Sequence, residues 1–135
     1  MKKRDDMTFP FEEYERRIAE LRTRIAQRRL DAVVITDPEN IMYLTDYQTT
    51  GYSFFQALVV PLEDEPFMIT RALEESNVFA RTWVEQSRPY PDTGDAIQML
   101  LDALREVVHL EGELVLFLDL DIGRLLLAVH HARHR

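Results

Sequence analysis

The sequence predicts an α/β domain, a mixed β-sheet with helices packed on it. Three observations predict it. Two long segments carry apolar residues at steps of three and four. Short runs rich in β-branched residues lie between and after them. No Pro/Gly/Ser-rich linker, repeat or low-complexity tract divides the 135 residues, so they form one domain of ordinary size.

The first helix follows from Phe11, Tyr14, Ile18, Leu21 and Ile25, which share one face. Pro10 suits its first turn, where a missing N–H costs nothing. Glu12, Glu13 and Glu15 sit near the positive end of the dipole, and Arg22, Arg24, Arg28 and Arg29 near the negative end. Ala32-Val33-Val34-Ile35 reads as a strand buried on both faces. Asp37 and Pro38 then cap a short helix over Asn40 to Leu44. Thr45 to Ser53 is polar and aromatic and reads as a loop. Phe55 to Pro61 and Pro66 to Thr70 are two strands, joined closely enough for an antiparallel hairpin. A helix is expected over Arg71 to Arg81, a strand over Trp83 to Arg88, and a break at Pro89 to Asp92. Asp92 or Thr93 caps a helix carrying Ile97, Leu100, Leu101, Leu104, Val107 and Val108, which Gly112 ends. Leu114 to Leu118 is a further buried strand, and Ile122 to His130 a last helix.

Composition excludes several function classes. Hydrophobic residues make up 46% and charged residues 30%, the balance of a compact globular protein. A formal net charge of −8 repels phosphate backbones and anionic lipid, so neither nucleic acid nor membrane is an expected partner. The absence of cysteine excludes disulfides, thiolate catalysis and Cys-based metal sites, and it fits a cytoplasmic setting. Lys2, Lys3 and Arg4 are followed by no apolar core, so the start does not read as a signal peptide. The longest apolar runs, such as Leu114 to Leu118, are too short to span a bilayer.

Few residues announce chemistry. His130, His131 and His134, with Asp119 and Asp121 upstream, have the ligand types for a transition metal, but a frayed basic tail is the expected state. Asp119-Leu120-Asp121 after an apolar run also has the look of a receiver-domain phosphoacceptor strand, against a plain reading as strand end and helix cap. Four scattered glycines make no phosphate loop, and no Gly-x-Ser-x-Gly elbow occurs. His109, late in a helix, reads as a surface or capping residue. The loop holding Tyr43, Tyr47, Tyr52, Phe54 and Phe55 either walls a pocket or anchors an interface, or covers the core. Arg71, just past a strand, can hold a carboxylate bidentately or serve as a surface cap.

The longer strings carry more. Phe11-Glu12-Glu13-Tyr14-Glu15-Arg16-Arg17-Ile18, the run Leu30 to Thr45 with Asp37-Pro38-Glu39-Asn40-Ile41-Met42-Tyr43-Leu44-Thr45, and Gln56 to Pro61 followed by Glu65 to Arg71 resemble the amino-terminal domain of the creatinase/prolidase/aminopeptidase P family. Arg71, Glu74 and Asn77 look most like its creatinase-like branch, which includes ectoine hydrolases. The resemblance implies a domain over residues 9–118, with a disordered segment at 1–8 and a divergent tail at 119–135. It implies a non-catalytic role: dimerisation, and a loop that shapes the substrate site of a metallohydrolase or Xaa-Pro peptidase cleaving C–N bonds. Catalytic residues and divalent metals are then expected in a carboxy-terminal domain absent from this chain, with no cofactor, metal ligand or hydrolytic activity in the chain alone. A homodimer is the expected assembly. Tyr52, Phe54 and Arg71 are the substrate-shaping candidates. Phe54 falls where creatinases place an arginine, so creatine is not the expected substrate. Asp46 stands where relatives usually have glycine, and Gly112 to Arg135 departs from the family pattern. The rival reading is a stand-alone small-molecule binding or interaction module on the same fold.

Overall fold

The computed structural model describes residues 1–51, 53–108, 114–119 and 126–131, with 107–108 and the last two stretches described as backbone. The elements run α1 (Phe11–Gln27), β1 (Ala32–Ile35), α2 (Pro38–Thr45), β2 (Ala57–Pro61), β3 (Phe67–Arg71), a 3-10 turn (Ala72–Glu74), α3 (Glu75–Arg81), β4 (Gln86–Tyr90), α4 (Ala96–Val108), β5 (Leu114–Asp119) and β6 (Leu126–His131). Among the described residues six strands make one mixed sheet in the order β4-β3-β2-β1-β6-β5. The β3–β4 pair is parallel and every other pair is antiparallel. That topology departs from the all-parallel sheet of a receiver domain.

The period of two in the strands explains why β1 and β2 are buried throughout. Val33, Ile35, Leu58, Val60 and Met68 face one core, built with Tyr14, Ile18 and Ile25 of α1, Ile41 and Leu44 of α2, and Val78 of α3. Val34, Ala57, Val59, Phe67 and Ile69 face the other, closed by Leu100, Ala103 and Leu104 of α4. The sheet is therefore covered by helices on both sides, and the α/β expectation holds.

Local chemistry sets the element ends. Pro10 caps α1 rather than entering it, and its carbonyl accepts from the Glu13 N–H at 2.9 Å. Asp37 caps α2, its carboxylate accepting the Asn40 N–H at 3.0 Å with Pro38 behind it. Asp37→Ala should therefore lower stability by about 1 kcal/mol, read as a drop in the midpoint of thermal unfolding. Asp46 ends α2 in the left-handed region at φ 67°. Aspartate tolerates that conformation better than most residues. Its carboxylate is also engaged, accepting from the Thr8 N–H at 2.9 Å and the Thr8 hydroxyl at 2.7 Å. The glycine-like geometry is thus kept.

Four expectations are corrected. The break at Pro89 begins later: β4 starts at Gln86 and runs through Pro89 to Tyr90. It lies at the sheet edge, where a missing N–H is tolerated. The α4 cap is Asp95, not Asp92 or Thr93, accepting the Ile97 and Gln98 N–H groups at 3.1 Å. The last helix is instead strand β6, paired with both β1 and β5. An open slot beside β1 overrides the helical propensity of Leu and Ala there. Residues 1–8, expected to be disordered, lie against the domain. The Lys2 N–H donates to the Trp83 carbonyl at 2.8 Å, Arg4 donates to the Phe79 carbonyl at 2.8 Å, and Met1 and Met7 pack on the α1-side core.

Candidate functional site

The chain between α2 and β2 crosses one end of the sheet, and two polar assemblies hold it there. On the α1 side the centre is Glu74, at the end of the 3-10 turn. One carboxylate oxygen accepts from the Tyr47 hydroxyl at 2.9 Å, the Thr49 hydroxyl at 3.2 Å and the Asn77 amide at 3.1 Å. These donors, with Asn77 contributing most, hold the Glu74 carboxyl below its ordinary range. Tyr47 is buried, and burial is the largest cause pushing its hydroxyl up to about 12. Gly51 belongs to the same assembly: a Cβ there would lie 3.1 Å from the other Glu74 oxygen. The loop passes this close because glycine has no side chain.

On the α4 side the centre is Arg71. It ends β3 at the same parity as Phe67 and Ile69, which face the α4 core. Its Nε and Nη2 donate to the two Asp92 carboxylate oxygens at 2.9 and 3.1 Å. The guanidinium carbon lies 3.7 Å from the centre of the Phe54 ring, a cation–π stack. Asp92 raises the Arg71 pKa and is itself held below the carboxylate range by the same hydrogen bonds. Nearby, the Tyr90 hydroxyl donates to the Phe55 carbonyl at 2.5 Å, tying β4 to the start of β2.

Two further polar groups at this end of the sheet have no protein partner among the described residues, Gln56 Nε2 and Thr70 Oγ1. Extending the Ala57–Ile69 register by one step sets them across from each other. Buried groups of this kind are usually met by water or ligand.

The structure thus brings Phe54 and Arg71 together, while Tyr52 lies outside the described residues. Sequence reasoning foresaw a carboxylate on Arg71 but not that the protein supplies one. It weighed Asp92 as a helix cap, and nothing in its spacing marks it as the partner of Arg71. The terminal histidines fall on residues whose side chains lie outside the description, and so does Asp121. Among the described residues no three His, Cys, Asp or Glu side chains converge to hold a metal ion. No helix among them is long and apolar enough to cross a membrane.

A family model described as the creatinase/prolidase N-terminal domain matches residues 17–120. The chain belongs to that family. Its creatinase/prolidase N-terminal domain is 34% identical over 90 residues to the ectoine hydrolase of Halomonas elongata, a stretch covering 64% of this chain and 22% of the relative. It is 32% identical over 83 residues to an uncharacterized hydrolase/peptidase of Sinorhizobium fredii, covering 59% of this chain and 21% of that one. The chain spans about a fifth of the length of these curated relatives. Among solved structures, the N-terminal domain of the Xaa-Pro dipeptidase from Lactobacillus brevis superposes with a TM-score of 0.64 at 24% identity, covering 72% of each chain. The dipeptidase PepE from Mycobacterium ulcerans gives 0.62 at 26% identity, covering 71% of this chain and 27% of that one. The fold of the creatinase/prolidase N-terminal domain is therefore shown from sequence and from structure, and its relatives are hydrolases.

Proposed function

We infer that this chain is the dimerisation and substrate-shaping domain of a metal-dependent hydrolase acting on C–N bonds, and that it does no chemistry by itself. The observation that carries this reading is the doubly anchored loop at the sheet end. Glu74 fixes one side of it, and the Phe54–Arg71 stack fixes the other. A loop held at both sides presents a cation and an aromatic ring in a set geometry, which is what positioning a substrate needs.

On this reading Arg71 and Phe54 form a wall of a substrate site completed by other parts of the assembly, and Tyr52 stays a candidate for it by the family resemblance alone. Arg71 supplies a bidentate site for a carboxylate, and Phe54 supplies a flat apolar cover. Metal-activated water belongs to a domain outside this chain. Leu73 and Phe79, on the segment following Arg71, are 72% and 40% exposed, which supports a contact surface there. The acidic charge supports a role without nucleic acid or anionic membrane, and the lack of cysteine is compatible with a cytoplasmic setting.

The test is light scattering on the purified chain, with metal analysis and a hydrolysis screen over dipeptides and N-acyl amino acids. The expected result is a folded species of twice the chain mass, without stoichiometric metal and without turnover. Turnover or bound metal would overturn the non-catalytic reading, and a strict monomer at high concentration would overturn dimerisation.

A further inference from the structure

We propose that Asp92 is the specificity-determining residue of the Arg71 site: an internal carboxylate that occupies the guanidinium and admits only ligands able to replace it with a carboxylate of their own. The proposal rests on the reading of Arg71 as a carboxylate-binding wall.

Three observations carry it. First, the contact has the form of ligand recognition. Nε and Nη2 make parallel bonds to the two oxygens of one carboxylate, the arrangement arginine uses for bound acids. Second, the two partners differ in freedom. The Arg71 side chain is only 17% exposed and is clamped under Phe54, whereas the Asp92 side chain is 67% exposed. Asp92 can leave by a side-chain rotation, while Arg71 stays in place. An ion pair with one partner this open is weak, favoured over the broken state by about five-fold or less. Third, the backbone delivers Asp92 to this place. Tyr90 is the register partner of Arg71 in the parallel β3–β4 pair, and Asp92 follows two residues later. A turn closed by the Gly94 N–H to the Pro91 carbonyl at 2.8 Å fixes the approach. Gly94 is needed in that turn, since a Cβ would meet the Pro91 ring at 2.9 Å. A side chain tethered so closely acts at an effective concentration on the order of millimolar or above.

The consequence is selection by exchange. A neutral ligand offers nothing to replace Asp92 and meets an already neutralised arginine. A monocarboxylate gains the same two bonds that Asp92 gives up. It binds weakly unless the rest of the site adds contacts.

The experiment follows the arginine side-chain N–H signals of the 15N-labelled chain while sodium acetate or N-acetylglycine is added, with sodium chloride at matched ionic strength as control. The Arg71 Nε–H signal is expected to move saturably with carboxylate and not with chloride. Asp92→Asn and Asp92→Ala should each tighten the apparent Kd by about two- to six-fold, as expected on removing an internal competitor of that strength, and Arg71→Met should abolish binding. Thermal melts check that each variant is folded, which the exposure of Asp92 favours. Unchanged affinity in both Asp92 variants, with binding still lost in Arg71→Met, would overturn the proposal and leave the Arg71 reading standing. No saturable response at Arg71 in any form, including Asp92→Ala, would overturn both.

Discussion

Truncation of Trp83 to alanine is expected to remove about 3–5 kcal/mol of stability, the largest single effect in the domain. Trp83 is fully buried in the α1-side core, between α3 and β4. Its indole N–H donates to the Leu44 carbonyl at 2.8 Å, near the C-terminal end of α2. Its own carbonyl accepts from the Lys2 N–H. One residue therefore joins the N-terminal segment, α2 and the sheet. Alanine would leave a cavity and strip the Leu44 carbonyl of its partner. Domains of this size are stable by about 5–15 kcal/mol, so the loss is a large share of the whole. In urea, with a slope of about 2 kcal/mol per molar, the midpoint should fall by about 2 M, followed by far-UV circular dichroism. Trp83→Phe, which keeps most of the apolar volume, should lose less than half as much. A midpoint shift equally small for both variants would show that the core closes over the gap.

The second large effect lies at Glu74. Glu74→Ala leaves three donors without their acceptor and should cost about 2–3 kcal/mol. It should also release the loop, seen as faster amide exchange over residues 46–56. The same assembly makes stability depend on pH at both extremes. The native Glu74 carboxyl titrates below its ordinary value of 4.5. Its contribution is thus fully present above that value and is lost as pH falls through the lower native one. Glu74→Gln should flatten this acid limb. Tyr47 runs the other way. Its hydroxyl is raised from 10.0 to about 12, so the unfolded chain loses that proton first. Stability should fall as pH rises from about 10 to about 12, and Tyr47→Phe should make that limb shallower. Tyr14 and Tyr90, also raised by burial, keep part of the slope. An unchanged alkaline limb in Tyr47→Phe would count against a Tyr47 hydroxyl raised by burial.

The elements read well from sequence are those in which pattern and local chemistry agree. In α1 the apolar spacing and the dipole placement of charge coincide, and at α2 Asp37 and Pro38 mark the start. The strands β1 to β3 are short β-branched or aromatic runs that helices cover on both faces. Reading failed where a distant partner decides. Pro89 sits inside β4 only because β4 is an edge strand, and Leu126 to His131 forms a strand only because β1 has a free side. In the site, the aromatic loop and Arg71 were visible by residue type. Of the two carboxylates that organise them, Glu74 was marked only by the family resemblance and Asp92 only as a helix cap, neither as a partner of the loop. Glu74 and Asp92 come to the loop through the 3-10 turn and the parallel register, and neither is written in local spacing.

Strand β1 has a further consequence for how the chain is made. Its partner on one side, β2, is complete by Pro61, but its partner on the other side begins only at Leu126. During synthesis, at about 5–20 residues per second, the edge of Ala32-Val33-Val34-Ile35 therefore waits several seconds with one row of N–H and C=O groups unpaired. That edge is uncharged and, past Ala32, β-branched, the kind that pairs with a neighbouring chain. The nascent domain is thus most open to misassembly in the interval before its last hairpin emerges. Shortened forms ending before β6 should need chaperone binding, or accumulate as aggregates, even though every helix that covers the first four strands is already present.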